Sequence, residues 1–428
     1  MLESEKYYLK LQKKFSRRIN LDLKRINNFL KKQSIDPDKI KGKIVNIIGS
    51  DGKNAVLQTL STIFRENKYK ISTFTSPSII SPLDRIFIKN KFITLNDFKK
   101  FGDFVIKSRE KLTLFEVLTI IYILKINSVK NLDFHFVESG AGFEKDSTNL
   151  WEKPAFQVVT NINLQHLDLF GARNIEDICK IKVGSLSRDT QIYVGKQKKS
   201  VLKIIKRILK DNPSPVHYYG KDFFLKKRKN KYIYKDKKGE LALVSKNIKS
   251  EGLWENVCLG IKIARDYNIN SKIILKSIAK IRMLGRIDYI NKGKLRNHLN
   301  SNEILIIDGA HSIKAAQNLS EHLKEHNEPI YGILGIQKNR HPEKFISIFK
   351  KNNFKKIVTV KIPSLPNSIE ADDLYKICKK KGFNALKANS IIGALKKISS
   401  KDTKIICIFG SLYLASAFLK KNFNQYEV

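Results

Sequence analysis

The residues with the clearest capacity for chemistry are Gly49-Ser50-Asp51-Gly52-Lys53-Asn54-Ala55. They follow the apolar run Ile44-Val45-Asn46-Ile47-Ile48 and precede Val56, Leu57, Leu60, Ile63 and Phe64, an apolar set at helical spacing. A buried strand, a glycine turn and a helix in that order can surround phosphate oxygens with backbone N–H groups, while Lys53 reaches the β- and γ-phosphates. The loop departs from the usual pattern at its end. Ala55 and Asn54 stand where a hydroxyl residue and a glycine are customary, and Asp51 brings a negative charge close to the phosphates. A second candidate is Glu138, which ends the apolar run Phe134-His135-Phe136-Val137. A carboxylate there emerges at the ligand edge of a parallel sheet and offers a hard oxygen to Mg²⁺. An exposed strand-end carboxylate is the alternative. Asp308, after the strand Ile304–Ile307, reads either as a ligand or as a turn carboxylate.

These residues need a scaffold, and the sequence supplies an alternation of strands and helices. Strands are expected at Ile44–Ile48, Ile71–Thr75, Leu132–Glu138, Phe156–Thr160 and Ile192–Val194. Helices are expected at Ala55–Glu66, Leu114–Ile126 and Ile175–Ser185, after a basic helical stretch in residues 1–43. That order predicts an α/β fold with a mostly parallel sheet. Residues 222–245, rich in Lys, Tyr and Phe, read as a small antiparallel excursion. A second α/β run carries strands at Ile304–Ile307, Ile330–Leu334, Lys356–Val360 and Ile405–Phe409. The glycine-, lysine- and asparagine-rich break near 285–300 places the boundary, giving a P-loop domain over 1–284 and a smaller Rossmann-like domain over 285–428.

Composition narrows the class. With 428 residues, 42% of them hydrophobic, the chain can bury full cores in two or three domains. No run of 18 apolar residues predicts a transmembrane helix. The charged start Met1-Leu2-Glu3-Ser4-Glu5-Lys6 has no apolar stretch, so no secretory leader is expected and the location is read as cytoplasmic. Cys179, Cys258, Cys378 and Cys407 are scattered without metal-site spacing and read as reduced thiols. The net charge of +42 is spread from Lys6 to Lys421, denser at Lys196–Lys210 and Lys226–Lys238, and reads as a solvated basic surface rather than a nucleic-acid groove.

The motifs, taken in order, resemble one family: the folylpolyglutamate synthase/dihydrofolate synthase branch of the Mur-type ATP-dependent amide ligases. The resemblance runs from about residue 15 to residue 420. It is carried by the P-loop, Thr75-Ser76-Pro77, Asp84-Arg85-Ile86, Leu112-Thr113-Leu114-Phe115-Glu116, Glu138-Ser139-Gly140-Ala141-Gly142 and Asp146-Ser147-Thr148-Asn149. It continues through Thr160-Asn161-Ile162 with His166, Lys182-Val183-Gly184, Asn256, Gly285-Arg286, Asp308-Gly309-Ala310-His311 and Gly410-Ser411-Leu412-Tyr413.

The resemblance implies metal ligands at Ser76, Glu138 and His166, with Lys53 among the catalytic groups. It implies a carbamylated lysine at Lys182, and nucleotide contacts at Gly49, Gly52, Lys53, Asn54, Ala55, Asn256, Arg286, Asp308 and His311. Thr113, Phe115, Glu116 and Asp146 fall in the implied pterin segment, although core packing explains Phe115 equally well. The implied activity is ATP- and Mg²⁺-dependent addition of L-glutamate to dihydropteroate or tetrahydrofolate by a monomer with no membrane partner. Departures at Asn54, Ala55, Ser78, Phe143, Glu144, Gln165, Ile181 and Asn339 leave a second reading open: a diverged relative that binds without turnover.

Overall fold

The computed structural model describes residues 2–16, 20–165, 167–228, 231–351 and 354–423. The chain divides into two compact units, Met1–Lys246 with Gly252–Ile281, and Asn247–Glu251 with Arg282–Val428.

The first unit is built on strands β1 (Lys43–Ile48), β2 (Ile71–Phe74), β3 (Ile86–Ile88), β4 (Lys91–Phe92), β5 (Phe134–Glu138), β6 (Phe156–Val159), β7 (Gln191–Val194) and β8 (Val216–Tyr218). They form one sheet in the order β4-β3-β2-β5-β1-β6-β7-β8. The pairs from β2 to β8 are parallel, and only β3 and β4 run antiparallel at the edge. The central strands are runs of Ile, Val and Phe because helices cover both faces and leave no solvent side to alternate with. The helix Leu114–Asn127 shows the same logic: apolar on nearly every side, it buries Leu114, Val117, Leu118, Ile120, Ile121, Tyr122 and Ile123. His135, inside β5, is a satisfied core residue, its ring nitrogens meeting Ser72 Oγ at 2.8 Å and the Lys41 carbonyl at 2.9 Å.

The expected excursion forms β9 (Phe223–Arg228), β10 (Lys231–Asp236) and β11 (Gly239–Leu243), an antiparallel sheet in the order β11-β10-β9. The inner face buries Tyr234, Leu241 and Leu243, which the period of two along each strand aligns.

The second unit carries β12 (Asp288–Tyr289), β13 (Glu303–Ile307), β14 (Ile330–Leu334), β15 (Phe354–Thr359), β16 (Ala385–Lys387) and β17 (Lys404–Phe409). Its sheet order is β12-β13-β17-β14-β15-β16, parallel except for the short β12. Ile306, Leu334, Ile357, Ile405 and Phe409 pack with Leu319, Phe345 and Leu374 in its core. Among the described residues no helix is long and apolar enough to cross a membrane.

Element boundaries shift in places from the sequence reading. The helix expected from Ala55 starts at Lys53, because Gly52, at φ 93°, supplies the turn itself. The helix expected to reach Ser185 ends at Val183, and the strand expected from Leu132 begins at Phe134.

Candidate nucleotide and metal site

The turn between β1 and the helix Lys53–Glu66 is shaped by two glycines. Gly49 has φ 148°, and a Cβ there would collide with Thr160 Oγ1. Gly52 lies in the left-handed region, and a Cβ there would collide with Asn256 Oδ1. Both positions therefore require glycine for conformation and for space. The same contact puts Asn256 against the loop, with its amide anchored to the Gly252 carbonyl at 2.6 Å. The N-cap of the helix that follows is Gly52, which has no side chain to cap it, and its first turn holds no acidic residue. Its N-terminal N–H groups and dipole suit an anion. Asn54 and Ala55 lie in that first turn, Ala55 buried.

Two lysines converge on the start of this loop. Lys53 Nζ donates to the Gly49 carbonyl at 3.1 Å, and Lys182 Nζ donates to the same oxygen at 3.1 Å. Lys182 also donates to the Ala141 carbonyl and is 1% exposed. Burial lowers its pKa to about 7, with Lys53 adding to the fall and Asp146 and Asp51 opposing it. Lys182 sits on the helix Ile175–Val183, which turns it inward beside Ile178, Cys179 and Val183.

Glu138 is the last residue of β5, paired with Ile47 of β1, and is 3% exposed. Strand pairing therefore brings its carboxylate alongside the entrance to the P-loop. Its Oε2 accepts the Ser76 N–H at 3.3 Å, so Ser76 and Glu138, expected together from the sequence, are adjacent. The Ser76 loop is held by Asp84, whose Oδ2 accepts from the N–H groups of Ile79, Ile80 and Ser81. His166 lies outside the described residues.

The pterin-segment residues have clear structural work. Thr113 and Glu116 form a capping box at the start of the helix Leu114–Asn127, and Glu116 also pairs with Arg25 at 2.8 Å. Phe115 packs its ring against Gly140, where a Cβ would meet it at 2.9 Å. Asp146, 1% exposed, accepts from Thr148 N and Oγ1 through one oxygen and from Gly140 N through the other. Burial pushes its pKa up against those hydrogen bonds. Phe115 and Asp146 thus fix Gly140-Ala141, whose carbonyl receives Lys182, and so tie this segment to the P-loop.

Arg286, Asp308 and His311 belong to the second unit. Asp308 Oδ2 accepts from Ile287 N at 2.7 Å and Oδ1 from Ala310 N at 2.7 Å. Ile287 has φ 49°, a costly conformation for a β-branched residue, and the carboxylate holds it there. Burial raises the Asp308 pKa to about 6 although Arg286 pulls it down. His311 Nδ1 meets the Gly309 carbonyl at 2.8 Å.

The sequence reading missed the partners of Asp51. Asn163 Nδ2 donates to its Oδ2 at 2.7 Å and Gln165 Nε2 to its Oδ1 at 3.2 Å. The amide-rich run Asn161-Ile162-Asn163-Leu164-Gln165 at a strand end was the available signal.

Fold and site together define a P-loop-type α/β protein with an appended parallel α/β unit. The profile described as "Dihydrofolate synthetase, C-terminal domain" matches residues 291–421. The chain is 26% identical over 431 residues to the dihydrofolate synthase/folylpolyglutamate synthase of Buchnera aphidicola subsp. Schizaphis graminum, covering 96% of this chain and 95% of that one. Its fold matches E. coli FolC in complex with DHPP and ADP, at TM-score 0.84, 18% identity and 97% coverage of each chain. It also matches the Yersinia pestis bifunctional enzyme complexed with AMPPNP and Mn ion, at TM-score 0.83, 16% identity and 97% coverage of each chain. Over nearly its whole length the chain is thus similar to dihydrofolate synthase/folylpolyglutamate synthases.

Proposed function

We propose that the protein is an ATP-dependent ligase joining L-glutamate to a pterin-linked carboxylate, with dihydropteroate, tetrahydrofolate or both as acceptors. One observation carries the reading. A lysine-bearing P-loop whose helix begins after glycine is paired through neighbouring strands with a buried carboxylate, Glu138, and the Ser76 loop.

Ser76 and Glu138 fit Mg²⁺, since a hydroxyl and a carboxylate are hard oxygens and this ion takes few protein ligands. Among the described residues no cluster of three or more His, Cys, Asp or Glu forms a fuller cage. When bound, the ion offsets charge on the transferring phosphoryl group. The N–H groups at the start of the helix Lys53–Glu66 hold the phosphates, and Lys53 exchanges the Gly49 carbonyl for a phosphate oxygen. An oxygen of the substrate carboxylate attacks the γ-phosphorus, and the bond to the β-phosphate oxygen breaks to release ADP. The amine of glutamate then attacks the acyl carbon, losing a proton as inorganic phosphate departs. Burial lowers the Lys182 pKa to about 7, so near neutral pH a substantial share of the amine is in the form that can add carbon dioxide, and the carbamate would give the site a further anion. The first unit holds ATP and metal, and Arg286, Asp308 and His311 are the second unit's candidate ligand residues. The protein acts in the cytoplasm as a monomer.

The test is glutamate-dependent ADP release with dihydropteroate and tetrahydrofolate offered in parallel. Release with either, requiring both glutamate and a divalent ion, is expected. ATP binding without release under any combination would replace the ligase by a binding protein.

A further inference from the structure

The P-loop and the loop after β6 are joined by more than backbone contacts. Ser50 N and Asp51 N both donate to the Asn161 carbonyl, at 2.8 and 3.2 Å. Ser50 Oγ donates to the Asn163 carbonyl at 3.2 Å and accepts from Asn163 N at 3.1 Å. Beyond these, Asp51 extends a carboxylate whose two oxygens are each taken by one carboxamide, Asn163 Nδ2 and Gln165 Nε2. Asn163 is itself oriented, since its Nδ2 also donates to Asn161 Oδ1 at 3.1 Å. The far end of that loop is fixed by Gln197, which accepts from Ile162 N at 2.9 Å and donates to the Thr160 carbonyl at 2.8 Å.

A carboxylate in a phosphate loop is a liability, because it repels the ligand that the loop exists to hold. Here its two oxygens each accept from an amide of a neighbouring loop, and its charge acts on Lys182. We propose that Asp51 is a positioning residue for the phosphate-binding turn, clamping it to the Asn161–Gln165 loop through a carboxylate-to-carboxamide pairing with Asn163 and Gln165. This rests on the nucleotide reading above and adds a residue to it. Hydrogen bonds to a charged acceptor are stronger than neutral ones, so the clamp limits the loop's freedom before nucleotide arrives.

The pairing has a polarity, and polarity can be exchanged. Gln165→Glu sets two carboxylates 3.2 Å apart, where an amide now donates. Adding Asp51→Asn to that variant restores the match. The new carboxamide at position 51 would accept from Asn163 through its oxygen and donate through its nitrogen to the new carboxylate at position 165. Asp51→Asn alone is mild, because the Gln165 amide can turn over and accept. Asp51→Ala deletes the clamp.

The experiment measures the KM for ATP, and the melting temperature without nucleotide, for the full chain carrying Gln165→Glu, Asp51→Asn, both, or Asp51→Ala. Gln165→Glu and Asp51→Ala should each raise the KM about tenfold, and the double variant should return to within about threefold of wild type. Melting temperature should fall and recover in the same pattern. Additive losses in the double variant would overturn the clamp. Recovery of melting temperature without recovery of the KM would make the pairing structural only and overturn the positioning role. A wild-type protein that turns over no pterin substrate and binds no ATP would overturn the functional reading and the positioning role together. The melting cycle would then still report whether the clamp exists.

Discussion

Two turns, one in each unit, have the same plan and opposite chemistry. Each follows a strand of buried Ile residues, passes through glycine and leads into a helix: Ile48 to Lys53 in the first unit, Ile307 to Ile313 in the second. In the first, Gly52 leaves the helix N-terminus without a side-chain cap, and two lysines converge on the Gly49 carbonyl. In the second, Ser312 caps the helix through Ala315 N, and Asp308 takes the N–H groups of Ile287 and Ala310. In the first turn the carboxylate, Asp51, is taken by side-chain amides of another loop; in the second, Asp308 takes backbone N–H groups of its own surroundings. Strand, glycine and helix do not by themselves make a phosphate site. What occupies the N–H groups decides it.

The largest consequence should appear beside the first turn. Glu138→Ala is expected to lower turnover at least about a hundredfold, the scale for loss of a main electrostatic group. Asp308→Asn should cost turnover less than that, and the opposite ranking would break the comparison. Lys182→Met should come next, lowering turnover by about thirtyfold as the anchor between Gly49 and Ala141 is lost. It also carries a pH signature. With a folded pKa of about 7 against the ordinary 10.5, the unfolded chain binds the extra proton between those values. Stability should therefore rise as pH rises from about 7 towards 10.5, and thermal melts of Lys182→Met should lack that component. An unchanged pH slope in the variant would remove Lys182 as its source.

At the second turn the expected effect is on stability. Asparagine at 308 can accept one backbone N–H but turns a donor towards the other, leaving a buried mismatch worth about 1–3 kcal/mol. Denaturant unfolding of Asp308→Asn measures it. The wild-type carboxyl is raised to about 6 from 3.8, so the folded state holds the proton more tightly in that window. Its contribution to stability falls as pH rises from about 4 to about 6 and is then flat. The asparagine variant should lose that dependence.

Much of this was legible in the sequence, for physical reasons that differ by residue. Ile44–Ile48 and Ile405–Phe409 announce themselves because strands covered on both faces are apolar without alternation. Glu138 is readable because a single carboxylate ends such a run. Lys182 could be singled out only by resemblance, since 82 Lys and Arg residues hide one buried ammonium among many solvated ones. The capping role of Thr113 and Glu116 was present as a Thr-x-x-Glu spacing but was overshadowed by the substrate reading. The partners of Asp51 were not legible, because Asn163 and Gln165 lie more than a hundred positions away and the pairing depends on β1 and β6 being neighbours.

The smallest expected effect concerns the worn end of the P-loop, and it sharpens the comparison most finely. Ala55 is buried in the first helical turn, and Asn54 precedes it at the second helical position. Ala55→Ser adds one hydroxyl at the site where a metal or phosphate oxygen would meet the helix. Asn54→Gly removes a side chain from the same approach but costs about 0.5 kcal/mol of helix stability relative to asparagine. The remaining contacts, from Lys53 and the uncapped N–H groups, are already in place, and the candidate metal donors Ser76 and Glu138 lie outside the loop. The double variant should therefore lower the KM for ATP only about threefold, with turnover little changed. Steady-state kinetics at saturating glutamate and acceptor would measure it. A rise in the KM would overturn the expectation that the loop end is the weak part of the phosphate site.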